Sequence, residues 1–160
     1  MGIVGRVVGG VVGVGLVAAG GVAFQDDAVR DETGVIQEAG EVGAFRIQVG
    51  DCLQDPGDGL IESVAAVPCS EAHEFEAYHS FDVSFVEWPG EAAISEEAGV
   101  GCYDQFFPFV GMKYEQSIYE FTWLEPTKDS FEQIDDKEVL CLVTPYEGGT
   151  KTGTARDTAQ

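Results

Sequence analysis

The chain has 160 residues and a formal net charge of −21, with 8 basic residues against 29 acidic ones. A surface this acidic repels phosphate backbones and anionic lipid head groups, so the charge argues against nucleic-acid binding and favours a basic partner or a cation atmosphere. The acidity also keeps a domain soluble, and this simpler interpretation stays open.

Residues 2–24 are apolar except for Arg6. The 18-residue run after Arg6 would reach roughly 27 Å as a helix, about the thickness of a hydrocarbon core. Because Arg6 precedes the run and acidic residues follow it, the positive-inside rule predicts a cytoplasmic N-terminus and an extracytoplasmic remainder. We interpret residues 1–24 as a retained single-pass signal anchor in the cell membrane. Cleavage after Ala19 or Ala23 would instead give a secreted protein.

Gly5, Gly9 and Gly13 recur at every fourth position of this segment. On a helix, this spacing forms a groove that lets a second helix approach closely, which predicts a weak homodimer in the membrane. A segment built of Gly, Ala and Val gives the same spacing by composition alone, so the alternative stays open. No cysteine lies near the segment, which argues against a diacylglyceryl lipid anchor.

Two polar segments flank residues 45–146, and neither has enough large apolar side chains to form a core. Residues 25–44 are acidic and rich in glycine, with few large apolar side chains, and we predict a flexible acidic linker. Residues 147–160 are polar, and we predict a disordered tail.

Residues 45–146 are predicted to form an α+β domain with a small antiparallel sheet of about five strands, one main helix and two disulfides. The predicted strands are 45–49, 60–67, 75–83, 117–124 and 138–143. The first three read as a meander, with a turn at 55–59 between the first two. The alternation of Tyr119, Phe121 and Trp123 predicts an aromatic face toward the core.

The main helix is expected at 91–107, with acidic residues near its N-terminal end. Pro108 and Gly111 are expected to end it. Residues 127–136 are polar and predict a single helical turn followed by a loop.

The chain has four cysteines, Cys52, Cys69, Cys102 and Cys141. In an oxidising compartment an even number of cysteines indicates disulfides, and three pairings are possible. We favour Cys52 with Cys69, because they bracket a turn between two strands. We favour Cys102 with Cys141, because that bond joins the helix to the last strand.

His73 and His79 are the two histidines of the chain. Together with Cys69 they could supply zinc ligands, but the chain lacks a C-x2-C pair and oxidation favours disulfides. A catalytic triad would need an activated nucleophile, and Ser70 lies in no G-x-S-x-G turn. The sequence therefore predicts no metal, no cofactor and no catalytic residue.

A series of short motifs runs through residues 45–146. They are Val49-Gly50-Asp51-Cys52, then Val67-Pro68-Cys69-Ser70 followed by His73 and Glu76, then Cys102, Trp123-Leu124-Glu125-Pro126-Thr127 and Val139-Leu140-Cys141. This pattern resembles the septum formation family, a family of extracytoplasmic domains common in high-GC Gram-positive bacteria. The resemblance implies a cell-envelope protein, membrane-tethered or secreted, linked by the family name to division septa and without an established activity.

Two functions follow as hypotheses. The first is a non-catalytic envelope module that binds an envelope protein, a septal protein or a cell-wall component. The second is a cell-wall hydrolase that uses paired carboxylates such as Asp135 and Asp136. A structure discriminates between them, since a hydrolase needs a cleft that holds two carboxylates, whereas a binding module needs an exposed apolar or charged patch.

Overall fold

The computed structural model describes residues 26–57 and 60–160, and it confirms the predicted α+β class. The strands are β1 (Val29–Arg30), β2 (Ile36–Glu38), β3 (Gly40–Gly43), β4 (Cys52–Leu53), β5 (Ser63–Val67), β6 (Phe75–Asp82), β7 (Tyr119–Leu124) and β8 (Glu138–Pro145). The α-helices are α1 (Glu91–Val110) and α2 (Lys128–Ile134). The described residues thus hold three strands and one helix more than the sequence predicts.

The predicted anchor at 2–24 and its Gly5, Gly9 and Gly13 motif lie outside the described residues. Within residues 26–57 and 60–160, no helix combines the length and the apolar character that crossing a membrane requires. Anchor and motif therefore stay predictions from the sequence.

Six strands form one antiparallel sheet in the order β3-β5-β4-β6-β8-β7, while β1 and β2 pair separately. The predicted meander is wrong, because strands insert out of chain order. Cys52 of β4 pairs with Val67 of β5 on one side and with Glu76 of β6 on the other. Likewise, β8 lies between β6 and β7.

Helix α1 covers one face of the sheet. Its buried stripe consists of Ile94, Ala98, Cys102, Phe106, Phe109 and Val110. The close approach to β6 depends on Gly101, because a Cβ there would collide with the ring of Phe81. The aromatic face of β7 meets the same cluster, with Tyr119 and Trp123 buried and Phe121 partly buried. The predicted core face of this strand is therefore confirmed.

The end of α1 differs from the prediction. Pro108 lies inside the last turn, and the helix continues to Val110. Pro108 lacks the N–H for one helical hydrogen bond, and the last turn is instead supported by Phe109 and Val110, which are buried in the core. Gly111 ends the helix in the left-handed region, with φ 80°, and donates its N–H to the Phe107 carbonyl.

The opposite face of the sheet is covered by residues from the N-terminal part of the described chain. The second core cluster contains Ile36, Val42, Ala44, Ile47, Leu53, Ile61, Val64, Ala66, Ala77, Leu124, Leu140 and Leu142. The prediction of a flexible linker at 25–44 is therefore wrong for the described part. Its few apolar residues are placed so that Ile36 and Val42 are buried while Gly40–Gly43 pairs with β5.

The predicted strand at 45–49 is also wrong. Ala44–Arg46 forms a 3-10 helix, and Phe45 and Val49 are exposed while Ile47 is buried. The edge of β5 is already occupied by β3, so the chain turns away from the sheet at this point.

Residues 147–160 are ordered, so the prediction of a disordered tail is wrong. Backbone hydrogen bonds fix this segment. They join Lys151 to His73, Gly153 to Cys69, Asp157 to Phe109 and Ala159 to Val110. Ala155 is fully buried. A polar composition failed as a guide because backbone groups and one ion pair, rather than large apolar side chains, hold the segment.

Two disulfides link Cys52 to Cys69 and Cys102 to Cys141. Of the three pairings open to four cysteines, these are the two bonds that the sequence favoured. Cys102 and Cys141 lie in the helix-side cluster and are completely buried, so this bond ties α1 to β8.

Candidate functional site

A buried polar cluster lies where β6 begins. His73 and Glu76 are 0% and 2% exposed, although both have ionisable side chains. The backbone of His73 forms two hydrogen bonds with that of Lys151, at 2.9 Å and 2.8 Å. The C-terminal segment is thereby placed directly over the start of β6.

The His73 ring is held in one tautomer. Its Nδ1 lies 2.8 Å from the Glu71 carbonyl oxygen, which can only accept, so Nδ1 carries the proton. Nε2 is buried and has no hydrogen-bond partner among the described residues. Burial lowers the pKa of His73 below its usual value, against a smaller opposing effect of the bond to Glu71. The ring is therefore neutral near pH 7.

Glu76 binds three donors from the C-terminal segment. Lys151 Nζ lies 2.6 Å from Oε2, and the Ala155 N–H donates to the same oxygen at 2.7 Å. The Thr154 hydroxyl donates to Oε1. Burial lowers the pKa of Lys151, while its hydrogen bond to Glu76 opposes that shift. We call the Lys151–Glu76 ion pair and these supporting bonds the C-terminal clamp.

A second ion pair holds the segment around β1. Both terminal nitrogens of Arg30 donate to the Asp51 carboxylate, at 2.6 Å and 2.7 Å. Asp51 Oδ2 also accepts the Gln48 N–H at 2.8 Å. The hydrogen bond to Asp51 raises the pKa of Arg30 above its usual value. We call this pair the N-terminal clamp.

The four residues of the two clamps differ in how far the sequence reveals them. Asp51 and Glu76 belong to the motifs singled out above, but Arg30 and Lys151 lie in segments predicted to be unstructured. A signal exists, because basic residues are rare in this chain and an isolated one in an acidic or polar segment is a candidate for an ion pair. The sequence cannot show which carboxylate it binds.

Cys69, His73 and His79, the alternative zinc ligands weighed against the disulfides in the sequence, do not come together as a set. Within the described residues, the group that could hold a metal is Cys52, His73 and Glu76. Cys52 is engaged in its disulfide. The ring of His79 instead stacks on that of Phe81, with centroids 5.8 Å apart.

Asp135 and Asp136 do not form a carboxylate pair in a common cleft. Asp135 ends α2 with φ 54°, and its carboxylate lies 2.9 Å from Lys137 Nζ. Asp136 is buried and accepts the Glu138 N–H. Asp135 lines a shallow depression of about 470 Å³ together with Val86, Glu87, Trp88, Phe131 and Glu132.

A cleft of about 310 Å³ lies beside β7, an edge strand of the six-stranded sheet, and residues from both faces of the sheet line it. Side chains alternate between the two faces along a strand, so Phe75 of β6, Glu120 and Thr122 of β7 and Thr144 of β8 point away from α1. Tyr114 and Phe121 pack against the cluster on the α1 side. The full lining is Asp55, Glu74, Phe75, Tyr114, Glu120, Phe121, Thr122, Thr144, Pro145, Gly148 and Gly149. We call this site the acidic cleft.

The acidic cleft combines negative charge with aromatic surface. Among the residues that the structure describes, three carboxylates line it and no lysine, arginine or histidine does. Desolvation raises the pKa of Tyr114, and the negative charge of Glu120 raises it further. The Glu120 carboxylate and the Tyr114 ring are therefore neighbours in the cleft. Carboxylates and aromatic faces both attract a cation. Local patterns in the sequence do not indicate this site, because its residues come from five separate segments.

Residues 49–160 match the family described as septum formation. The chain is 32% identical over 116 residues to LppN of Mycobacterium tuberculosis, a protein named as a lipoprotein, and the match covers 70% of this chain and 63% of LppN. It is 29% identical over 106 residues to a protein of the same bacterium named as a membrane protein, with 60% of this chain and 23% of that protein covered. The chain thus spans less than two thirds of either relative. No solved structure matches it significantly.

Proposed function

The chain belongs to the septum formation family, and from this premise we propose that it is a non-catalytic interaction module of the cell envelope with a role at the septum. The module binds a basic segment of a partner protein in the acidic cleft. The observation that carries this proposal is the meeting of three carboxylates and three aromatic rings in one cleft, which no basic side chain from residues 26–57 and 60–160 lines. A lysine or arginine side chain satisfies both kinds of group at once.

The buried cluster supports a non-catalytic role. A general base must reach a substrate, but the His73 ring is completely buried and its Nδ1–H is bound to Glu71. Glu76 is equally inaccessible and is bound by Lys151, Thr154 and Ala155. These groups hold the fold together and are closed to a substrate.

The proposal places the module outside the cell, held by the anchor at residues 2–24. The charge asymmetry around Arg6 supports this topology, and the names of the two mycobacterial relatives support membrane association. Mass spectrometry of the mature protein tests the anchor. A retained N-terminus is expected, and a mature chain that begins near Phe24 would refute it.

Site-specific photo-crosslinking in the native cells tests the cleft. A benzophenone amino acid at Phe75 is expected to crosslink an envelope protein through a basic segment, while the same probe at Val100 is not. Val100 is a suitable control because it is exposed on α1 and does not line the cleft.

Charge reversal then tests the recognition chemistry. Glu120→Lys is expected to abolish the crosslink from Phe75, because it places a cation where the partner's cation binds. Glu96→Lys makes the same charge change on the exposed side of α1 and should leave the crosslink intact. Equal crosslinking in both variants would show that the partner does not use the acidic cleft.

The second candidate function, a cell-wall hydrolase, has one feature in its favour. The depression beside α2 holds the carboxylates of Glu87, Glu132 and Asp135 next to Trp88 and Phe131. Peptidoglycan release by the wild-type protein that is lost in Glu132→Gln and Asp135→Asn would favour this function over the interaction module. We expect no release from any of these proteins.

A further inference from the structure

The Cys52–Cys69 disulfide lies beside two buried residues that can also bind metal. The Cys52 Sγ, a ring nitrogen of His73 and a carboxylate oxygen of Glu76 all lie within 4.8 Å of one another. Thiolate sulfur, imidazole nitrogen and carboxylate oxygen are the three kinds of protein ligand that Zn²⁺ takes. In the oxidised protein, the bond to Cys69 blocks the sulfur of Cys52.

His73 supplies an independent sign of a missing ligand. Its Nε2 is buried and has no hydrogen-bond partner among the described residues, and the bond from Nδ1–H to Glu71 leaves a lone pair on Nε2. Buried polar atoms nearly always have a partner, so such an atom calls for an explanation. A histidine whose Nδ1–H is fixed by a carbonyl is also how metal-binding histidines are oriented.

We propose that opening the Cys52–Cys69 disulfide creates a Zn²⁺ site formed by Cys52, Cys69, His73 and Glu76. The sulfur of Cys69 joins the set because it is bonded to that of Cys52 and stays near the group when the bond breaks. Two sulfurs, one nitrogen and one oxygen give the four ligands of a tetrahedral zinc site.

The opening step requires a two-electron reductant of disulfides, such as a dithiol. The dithiol gives two electrons and two protons to the disulfide and becomes a disulfide itself, while Cys52 and Cys69 become thiols. Zn²⁺ then displaces the two thiol protons to solvent and binds the thiolates. Cys69 is partly exposed, whereas Cys102 and Cys141 are completely buried, so the reductant reaches the Cys52–Cys69 bond first.

Lys151 and Zn²⁺ compete for the carboxylate of Glu76. Its ammonium group occupies Glu76 at 2.6 Å in the oxidised protein, where it is the cation that neutralises the carboxylate. Zn²⁺ replaces that cation, so metal binding releases Lys151 from Glu76. The disulfide-bonded protein and the zinc-bound protein are thus two alternative forms of one cluster.

Metal titration of the full chain tests the site. After reduction by a phosphine, the wild-type protein is expected to bind one Zn²⁺ per chain, and Co²⁺ in its place should give thiolate charge-transfer bands. The untreated protein should bind neither ion. His73→Ala should weaken zinc binding by at least about tenfold, while His79→Ala, the matched control, should leave it unchanged. Equal affinities of the two variants would overturn the proposal.

X-ray absorption on the zinc-loaded wild-type protein gives a check that needs no variant. The proposed site predicts two sulfur and two nitrogen or oxygen ligands. Four sulfur ligands would show that the reduced chain gathers zinc with all of its cysteines, and the proposal would be wrong.

Discussion

Arg30 and Lys151 each hold a polar segment of the chain onto the sheet by binding a buried carboxylate, but their surroundings differ. The side chains of Arg30 and Asp51 are 17% and 3% exposed, and those of Lys151 and Glu76 are 7% and 2% exposed. Arg30 gives its carboxylate two parallel hydrogen bonds. Lys151 gives one, and other donors complete the coordination of Glu76.

The difference shows how the choice of cation follows burial. A guanidinium stays charged and matches a carboxylate as a fork, so the N-terminal clamp needs little help. An ammonium is costly to bury, which is why burial lowers the pKa of Lys151 even beside Glu76. The septum formation match covers residues 49–160, so it includes the C-terminal clamp and leaves Arg30 outside. The deeper clamp is therefore the one within the family domain.

The largest effect is expected from breaking the C-terminal clamp. Lys151→Met leaves the charge of Glu76 buried without its cation, so we expect a loss of about 3 to 5 kcal/mol in the free energy of unfolding, measured by urea denaturation. The double variant Glu76→Leu with Lys151→Met should lose less than Lys151→Met alone, since no charge stays buried.

Lys128→Met is the control for that experiment. Lys128 lies 4.0 Å from Glu132 on an exposed helix surface, and its loss should change the free energy of unfolding by at most about 1 kcal/mol. Similar losses in Lys151→Met and Lys128→Met would refute the special role of the C-terminal clamp.

A smaller effect is expected at the N-terminal clamp. Arg30→Met should lower the free energy of unfolding by about 1.5 to 3 kcal/mol, because Asp51 loses its charge-assisted hydrogen bonds to Arg30 but keeps the one from the Gln48 N–H. Arg46→Met, which removes a surface pair with Asp26 at 3.1 Å, is the matched control and should cost at most about 1 kcal/mol. A loss in Arg30→Met larger than that in Lys151→Met would reverse the order of the two clamps.

The buried His73, beside the C-terminal clamp, should contribute to the pH dependence of the free energy of unfolding. Because the pKa of His73 is lowered by burial, the unfolded chain binds a proton between that lowered pKa and about 6.5, whereas the folded chain does not. Stability therefore falls as the pH drops through this window, by up to about 1.4 kcal/mol per pH unit from this group. Urea denaturation at several pH values should show a shallower acid loss in His73→Asn than in the wild type.

His79→Asn controls for the titration of the many carboxylates, which both histidine variants retain. The acid loss should be shallower in His73→Asn than in His79→Asn. Equal acid losses in the two variants would show that the buried ring does not contribute.

The smallest expected difference concerns the disulfides. The Cys52–Cys69 bond lies between the two clamps and spans 17 residues, while Cys102–Cys141 spans 39. Chain entropy gives roughly 3 and roughly 4 kcal/mol for loops of these lengths. Replacing Cys102 and Cys141 by alanine should therefore lower the melting temperature more than replacing Cys52 and Cys69 by alanine. Peptide mapping first verifies the pairing. Equal losses would mean that residual structure in the unfolded state outweighs loop length.

The parts of the fold that local patterns encode could be predicted. The alternation of aromatic residues in β7 is a local pattern, and it identified the face of the strand that packs in the core. Four cysteines allow three pairings, and the sequence favoured the one observed. Helix α2 was underestimated because its start depends on a reciprocal cap, in which Thr127 and Ser130 bind each other's backbone N–H. Here serine takes the place of the usual Glu or Gln.

The acidic cleft and the two clamps could not be predicted, for a different reason. Phe75, Glu120 and Asp55 become neighbours only when strands insert out of chain order. Lys151 is polar and lies in a polar segment, and nothing local signals a carboxylate 75 residues away. Long-range pairing of charges leaves no periodic trace in a sequence.

The distance between Glu76 and its donors also sets an order of events during synthesis. A ribosome completes β6 long before it adds Lys151 and Ala155, which follow Glu76 by 75 and 79 residues. Until those residues emerge, β6 would have to bury an unpaired negative charge, which is too costly for the strand to settle in the sheet. We therefore expect stable folding only after translation of residue 155, with the nascent chain open to chaperones or a translocation channel in the meantime.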